Sequence, residues 1–500
     1  METQRQRKLP PARYVLAILG CMGFATIYGL RVNLSVALVG MLNHTALLQI
    51  EAAEAGKKKA GAEIMAMLSA EASSKPNVED GPFVWSSQIQ GLVLSCYFWG
   101  YLVAQIPGGR LAELYSAKWV MFGAVFINAV CTILTPVMCK IHYVGVIIMR
   151  VLEGLGGGTA FPAMHCMLSK WAPPAERSFI SAVTYAGTSL GTVISTLSAG
   201  MIIASFGWEM VFYSMGGASL IWCVMWVMLV QDTPQRQKYI TEEERTMIIT
   251  SLQNTDESKE KPKVPWRAVV TSSAFLAILV AHVCNNFGWY MLLIELPFYM
   301  NQVLKFNIKE NAVAVSLPYL TLWIFSMFIS KLLDHLRSLS YLTMTSARKI
   351  ATLIASVVPG SCLLVLCFIA HRGVAVALMA LAVTCNGAIF SGFLSNHIDI
   401  APNFAGTLMA LTNTVGTVPG VIVPLLVGYI THGNQTLAAW RIVFLIAVAL
   451  YVLEIVVYTW FASGEVQPWN VGSQPSNKQP AAPPAPKAED PKKGLTIKNS

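Results

Sequence analysis

The stretch TIYGLRVNLSVAL, Thr26 to Leu38, sets one arginine, Arg31, in an otherwise apolar run. A guanidinium keeps its charge and presents a planar fork of donors, so it can bind a carboxylate or a phosphate. The alternative is a structural arginine, paired with Glu153 or with backbone carbonyls. Arg150 and Glu153 lie three residues apart in another apolar run, on one helix face, and can pair with each other. Glu153 then either carries a coupling proton, with Arg150 tuning its hold, or forms a static ion pair. Asn285, Asn286 and Asn386 add amides deep in two further apolar runs. No nucleophile with a neighbouring base and no spaced set of metal ligands occurs, which argues against an enzyme and against a bound cofactor. The ten cysteines are scattered, mostly within apolar runs, and read as small apolar residues.

These residues need a setting that makes buried charge worthwhile, and the composition supplies it. Hydrophobic residues make up 55% of the 500 and charged residues 12%, the latter about half the share usual in soluble domains. The apolar residues fall in blocks of about 20, the length a helix needs to cross a bilayer. Twelve spans are predicted: 14–42, 86–106, 119–138, 143–169, 179–204, 210–230, 273–300, 311–333, 349–370, 373–395, 405–430 and 441–462. The fold class is therefore all-α and polytopic, in a lipid bilayer. The segments are an N-terminal tail 1–13, a six-helix unit 14–230 with a long loop 43–85, a polar linker 231–272, a second unit 273–462, and a Pro- and charge-rich tail 463–500 that reads as disordered. The basic N-terminus precedes an apolar run too long for a signal peptide core.

The net charge of +9 sits in loops and tails, as orientation requires, and does not indicate nucleic acid. Outside the spans, 23 Lys and Arg lie on the face carrying both termini and nine on the other. Both termini are therefore predicted to be cytoplasmic. The sequons at Asn43 and Asn434 then fall on the outer face as candidate glycosylation sites.

Six spans, a linker and six more spans is a two-fold-repeated layout. GGRLAELYSAKWV after span two has an echo, SKLLDHLRS to ARK, after span eight. Gly109, Glu113 and Lys118 in the first, with Asp334 and Arg337 in the second, are candidates for a latch between packed helices; ordinary loop charge is the alternative. His397 and Asp399, in NHIDIAP, are expected at the mouth of spans ten and eleven as a gate or a helix-end network. EGLGGGTAFP follows no strand, so Gly154 and Gly158 read as a close-packing surface rather than a nucleotide loop. TEEER, 241–245, has the signature of a helix start in the linker.

Seven strings, in order, carry a resemblance: GLRVNLSVALV, YFWGYLVAQIPGG, RVLEGLGGGTAFPAMH, KWAPPAERS, FGWYMLLIELPFYM, SNHIDIAPNFAGTLM and FASGEVQPW. Over residues 13 to 469 the chain resembles the major facilitator superfamily. Within that superfamily it resembles the anion:cation symporters, which include sialin, the type I sodium–phosphate cotransporters and the vesicular glutamate transporters. The resemblance implies two six-helix bundles rocking about a cavity lined by spans one, four, seven and ten. It also implies that Arg31 binds the substrate anion. Asn285 and Asn286 are then substrate candidates, and Glu153, Arg150 and Asn386 candidates for cation coupling.

The departures from the family pattern narrow the expectation. Proton-coupled members such as sialin carry a further acid in span four where this chain has Gly157. The glutamate transporters have a histidine at Leu94 and an arginine at Asn285. The expected protein is a secondary active transporter of inorganic phosphate or organic anions, driven by Na+ or H+ with a lean to sodium. It is expected to be monomeric and in the plasma membrane. The alternatives are sialin-like proton-coupled export from lysosomes and a non-transporting sensor or scaffold.

Overall fold

The computed structural model describes residues 10–43, 45–46, 81–252, 263–292, 308–369, 371–431 and 436–471. The sequon at Asn434, most of the 43–85 loop and nearly all of the C-terminal tail lie outside the described residues.

Among the described residues nine helical stretches are long and apolar enough to cross a bilayer. One of them, Ile89–Ile141, runs 53 residues. That is about 80 Å of helix, well over twice a hydrocarbon core of about 30 Å. It is two passes, with the chain turning at Ser116, whose extended backbone ends a π turn and whose hydroxyl accepts from the Trp119 amide at 3.2 Å. The remaining two passes are Ser273–Tyr290 and Ile308–Ser338. No strand occurs among these residues; where loop 43–85 returns, Phe83 bridges the end of span one at Leu42.

Span one is Ala12–Met41, span two Ser87–Leu111, span three Ala117–Ile141 and span four Tyr143–Trp171. Span five is Arg177–Tyr185 with Gly187–Phe206, and span six Glu209–Leu229. Spans seven and eight are the two passes just given, and span nine is Met344–Leu366. Span ten is Arg372–Asn386 continued as Phe393–Ile400, span eleven Ala405–Thr417 with Pro419–Thr431, and span twelve Leu437–Phe461.

Several helices run past the apolar blocks by one or two turns. Span two reaches Leu111 and span eight Ser338, because the charged residues there are satisfied by partners within the protein rather than marking exit into water. Span ten tightens into a 3-10 turn at Gly387–Phe390 and resumes as Phe393–Ile400, so the NHIDI segment is a buried helical continuation past the predicted end of the span at 395.

Spans one to six pack as one bundle and seven to twelve as another. Glycines set the tightest contact. A Cβ on Gly154 would lie 2.0 Å from the Tyr97 carbonyl oxygen, and one on Gly158 would lie 2.4 Å from that of Tyr101, so spans two and four touch backbone to backbone. Between the bundles, span five packs on span eight, and span eleven packs on spans two and four. Counting six spans on, the five–eight and eleven–two contacts are equivalent, so the repeat read in the sequence is a repeat in space.

The linker helix, Glu242–Leu252, starts as TEEER predicts: the Thr241 hydroxyl accepts from the Glu244 amide at 3.3 Å. The Glu244 carboxylate, however, turns away and accepts from the Ala12 amide at 2.9 Å, capping span one and pinning the linker to the first bundle.

Candidate functional site

Arg31 lies about 17 residues into the predicted span one, roughly 25 Å along the helix, on the side away from the termini. Its guanidinium carbon sits 4.6 Å from the ring centre of Phe98, 5.3 Å from Tyr97 and 5.5 Å from Tyr28. Tyr28 is one turn back on the same helix, and the other two rings come from span two. The hydroxyl groups of Tyr28 and of Tyr290, from span seven, also interact with it. Aromatic faces stabilise a desolvated cation by about 0.5–2 kcal/mol and leave its charge uncancelled. No carboxylate among the described residues pairs with Arg31.

Glu153 takes Arg150 instead, at 2.7 Å, and accepts from the Thr132 hydroxyl at 2.9 Å; both charged residues are buried. Arg150 also donates to the Arg31 carbonyl at 2.9 Å, so this pair holds the backbone that carries Arg31. The two arginines and one carboxylate leave one net positive charge beside the rings.

The spacing that brings Asn285 and Asn286 together in the chain does not bring them together in space. Asn285 is buried in the second bundle, donating to Glu454 Oε1 at 3.3 Å and accepting from Asn386 at 3.0 Å. Asn286 donates to the Gly416 carbonyl at 2.7 Å, beside the break in span eleven before Pro419, which has no N–H to give. Neither amide contacts Arg31. Glu454 in span twelve was missed by a reading centred on spans one, four, seven and ten; the signal was there, a lone acid in ALYVLEIVVYTWF.

Toward the face carrying the termini, the two bundles are joined in layers. Tyr101, one turn beyond Tyr97, accepts from Asn413 of span eleven at 2.9 Å. Below it three buried histidines gather: His397 and His282 both contact the Thr412 hydroxyl, at 2.7 and 3.1 Å, and the His165 ring centre lies 5.5 Å from that of His397. His165 and His282 went unread in the sequence, where each is a single histidine in an apolar span.

The last layer holds the gating candidates. Asp399 accepts from Arg177 of span five at 2.6 Å and from Arg348 of span nine at 2.5 Å. Glu113 accepts from the Thr407 amide and hydroxyl, both at 2.6 Å, at the start of span eleven, and from Arg110 at 2.5 Å. Asp334 accepts from the Phe179 amide at 2.9 Å, at the start of span five. Glu113 and Asp334 thus each cap the third amide of a helix in the other bundle, where the helix dipole favours a negative charge.

Arg337 reaches across to the Pro174 carbonyl. Gly109 lets span eleven approach, since a Cβ there would lie 2.7 Å from the Gly406 carbonyl oxygen. Lys118 differs: it donates to the Val227 carbonyl at 3.0 Å and to Gln231 at 3.3 Å, all within the first bundle. On the opposite face, Asn43 is partly exposed and its side chain accepts from the Ala46 amide at 2.8 Å.

Two bundles related by a repeat, closed against each other at one face over a half-buried cation, define a transporter of the alternating-access kind. The chain belongs to the Major Facilitator Superfamily, whose family model matches residues 15–424. It is 39% identical to human sialin over 92% of this chain and 90% of that protein. It is 37% identical to a Drosophila melanogaster protein bearing the name of an inorganic phosphate cotransporter, over 94% and 88%. With human vesicular glutamate transporter 2 it shares 35% over 92% and 75%. Among solved structures, the proton:xylose symporter XylE superposes with a TM-score of 0.64 at 13% identity, covering 91% of this chain and 97% of that one. The human organic anion transporter MFSD10 gives 0.60 at 13%, over 90% and 100%. The protein is an integral, multi-pass membrane transporter and not an enzyme.

Proposed function

We propose that this transporter moves a small anion, inorganic phosphate or an organic acid, by alternating access, coupled to H+ or Na+. The observation that carries the reading is Arg31: a cation ringed by Tyr28, Tyr97 and Phe98, with no carboxylate partner among the described residues. A charge at the helix centre costs about 3 kcal/mol to insert, and an anionic cargo offsets that cost when it binds. The names of the relatives, a sialin, a phosphate cotransporter and a glutamate transporter, support the same charge class. The Arg177–Asp399–Arg348 cluster and the caps made by Glu113 and Asp334 act as the gate that closes the terminal face.

Both termini are placed in the cytoplasm by the lysine and arginine count, with Asn43 on the outer face as a glycosylation site and the plasma membrane as the location. A monomer suffices, because both bundles are in one chain. The test is uptake into proteoliposomes of phosphate, sialic acid, glutamate and urate under separately imposed Na+ and H+ gradients. Accumulation of one of them, lost in Arg31→Ala, is the expected result. Transport of none would favour a sensor or scaffold.

A further inference from the structure

The second bundle buries a carboxylate that the anion site does not use. Glu454 is fully buried in span twelve. An ion taken out of water without a counter-charge costs several kcal/mol, so such a group is paired or neutralised. Glu153 is paired, by Arg150 at 2.7 Å. Among the described residues Glu454 has no such partner.

The titratable groups that face it are Cys284 from span seven and Tyr451 from its own helix. Cys362 of span nine lies beyond, against Tyr451. In the outer part of span eleven the one titratable side chain, Tyr429, is 85% exposed and turned away. No arginine, lysine or histidine among the described residues interacts with Glu454.

The hydrogen bonds around Glu454 suit a neutral carboxyl. The Asn285 amide is the one side-chain N–H aimed at it, shared between Oε1 at 3.3 Å, Oε2 at 3.4 Å and the Ala355 carbonyl at 3.4 Å. The Ser356 hydroxyl also bonds Glu454, but its proton is given to the Thr352 carbonyl at 2.8 Å. Its oxygen is then free to accept, and a protonated carboxyl can donate to it. A single shared, long N–H does not satisfy an ionised carboxylate, which offers about four acceptor sites. The Tyr451 hydroxyl beside it is buried and has no hydrogen-bond partner.

We propose that Glu454 is a proton-binding site of the transport cycle. The proposal rests on the chain being a cation-coupled transporter and names the cation as H+. The carboxylate takes a proton from water on the side to which the bundles open, becomes a neutral carboxyl donating to Ser356, and returns the proton to water on the other side. Asn285 passes the state on. It links Glu454 to Asn386, the last α-helical residue before span ten tightens into a 3-10 turn, so neutralising the carboxyl changes what holds span ten.

The test uses the full-length protein in nanodiscs and needs no substrate, so failure of the anion assignment cannot be mistaken for failure of this one. Infrared difference spectra between neutral and acidic buffer should show a protonated-carboxyl carbonyl band. The band should be lost in Glu454→Gln, displaced in Glu454→Asp and kept in Glu153→Gln. If Glu454→Gln does not fold, the displacement in Glu454→Asp decides. Spin labels at Tyr115 and Tyr341, exposed on the terminal face of the two bundles, should report an acid-induced change in distance that Glu454→Gln loses. The proposal is overturned by absence of the band in the wild type, by its persistence unchanged in the variants, by an unchanged acid response in Glu454→Gln, or by loss of the band when sodium replaces choline at constant pH.

Discussion

Asp399, at the end of span ten, and Arg177, at the start of span five, meet at 2.6 Å across the boundary between the bundles, both buried. The same carboxylate holds Arg348 at 2.5 Å, and Arg348 donates to Ser178, again in the other bundle, at 2.7 Å. One anion therefore serves two cations. Removing one partner of a buried pair costs about 3–5 kcal/mol. The Arg348 contact lies within one bundle and survives opening, whereas the Arg177 contact does not. Asp399→Asn should therefore shift the closed state toward opening at the terminal face by roughly a hundredfold. Label-to-label distances between Tyr115 and Tyr341 measure that shift, and an unchanged distribution would remove Asp399 from the gate.

The caps made by Glu113 and Asp334 are weaker and separable. Glu113→Gln keeps an acceptor for the Thr407 amide and loses the charge; Glu113→Ala loses both. A cap is worth about 1 kcal/mol, with the helix dipole adding about 0.3–1 kcal/mol for the charge. The expected order of opening is wild type, then Gln, then Ala, and likewise for Asp334→Asn and Asp334→Ala. The two sites share no partner, so the double variant should add within about 0.5 kcal/mol. The same distance measurement reads all of these.

Much of this layer was legible in the chain, but not its wiring. The echo between GGRLAELYSAKWV and SKLLDHLRS picked out Glu113 and Asp334, because a repeat leaves the same residue types at the same step. Their partners are backbone amides of Thr407 and Phe179, and an amide has no letter in the sequence. Lys118 matched the pattern yet points into its own bundle. Arg177 and Arg348, counted among the charges outside the spans that set orientation, are buried and both pair with Asp399. The Arg150–Glu153 pair was readable from type and spacing, whereas Arg31 stood out as a buried-run charge and drew its expected role in good part from the family resemblance. Adjacency misled at Asn285 and Asn286, since neighbours on a helix diverge by about 100°.

Arg31→Lys separates charge from shape. Lysine keeps the positive charge but loses the planar fork that binds two anion oxygens at once. The aromatic ring contacts favour the flat guanidinium as well. With a loss of about 1–2 kcal/mol, affinity for the transported anion should fall by roughly five- to thirtyfold in Arg31→Lys and be abolished in Arg31→Ala. Binding isotherms of the purified protein measure it, and equal affinity in the lysine variant would leave Arg31 a purely structural role.

Gly157 and Tyr97 make the sharpest steric test. A Cβ on Gly157 would lie 2.1 Å from the Tyr97 hydroxyl oxygen but 3.2 Å from its ring carbon Cζ. The phenol oxygen thus occupies the space into which any side chain at position 157 would grow. Gly157→Ala should lower the melting temperature, with overpacking costing about 1–3 kcal/mol. Tyr97→Phe removes the clashing atom, so Gly157→Ala combined with Tyr97→Phe should recover most of the loss. The coupling in that double-mutant cycle should exceed about 1 kcal/mol. Gly154→Ala provides the contrast: its clash is with the Tyr97 carbonyl oxygen at 2.0 Å, a backbone atom, and Tyr97→Phe should not rescue it. Rescue at both positions, or at neither, would show that the hydroxyl of Tyr97 is not what excludes a side chain from position 157.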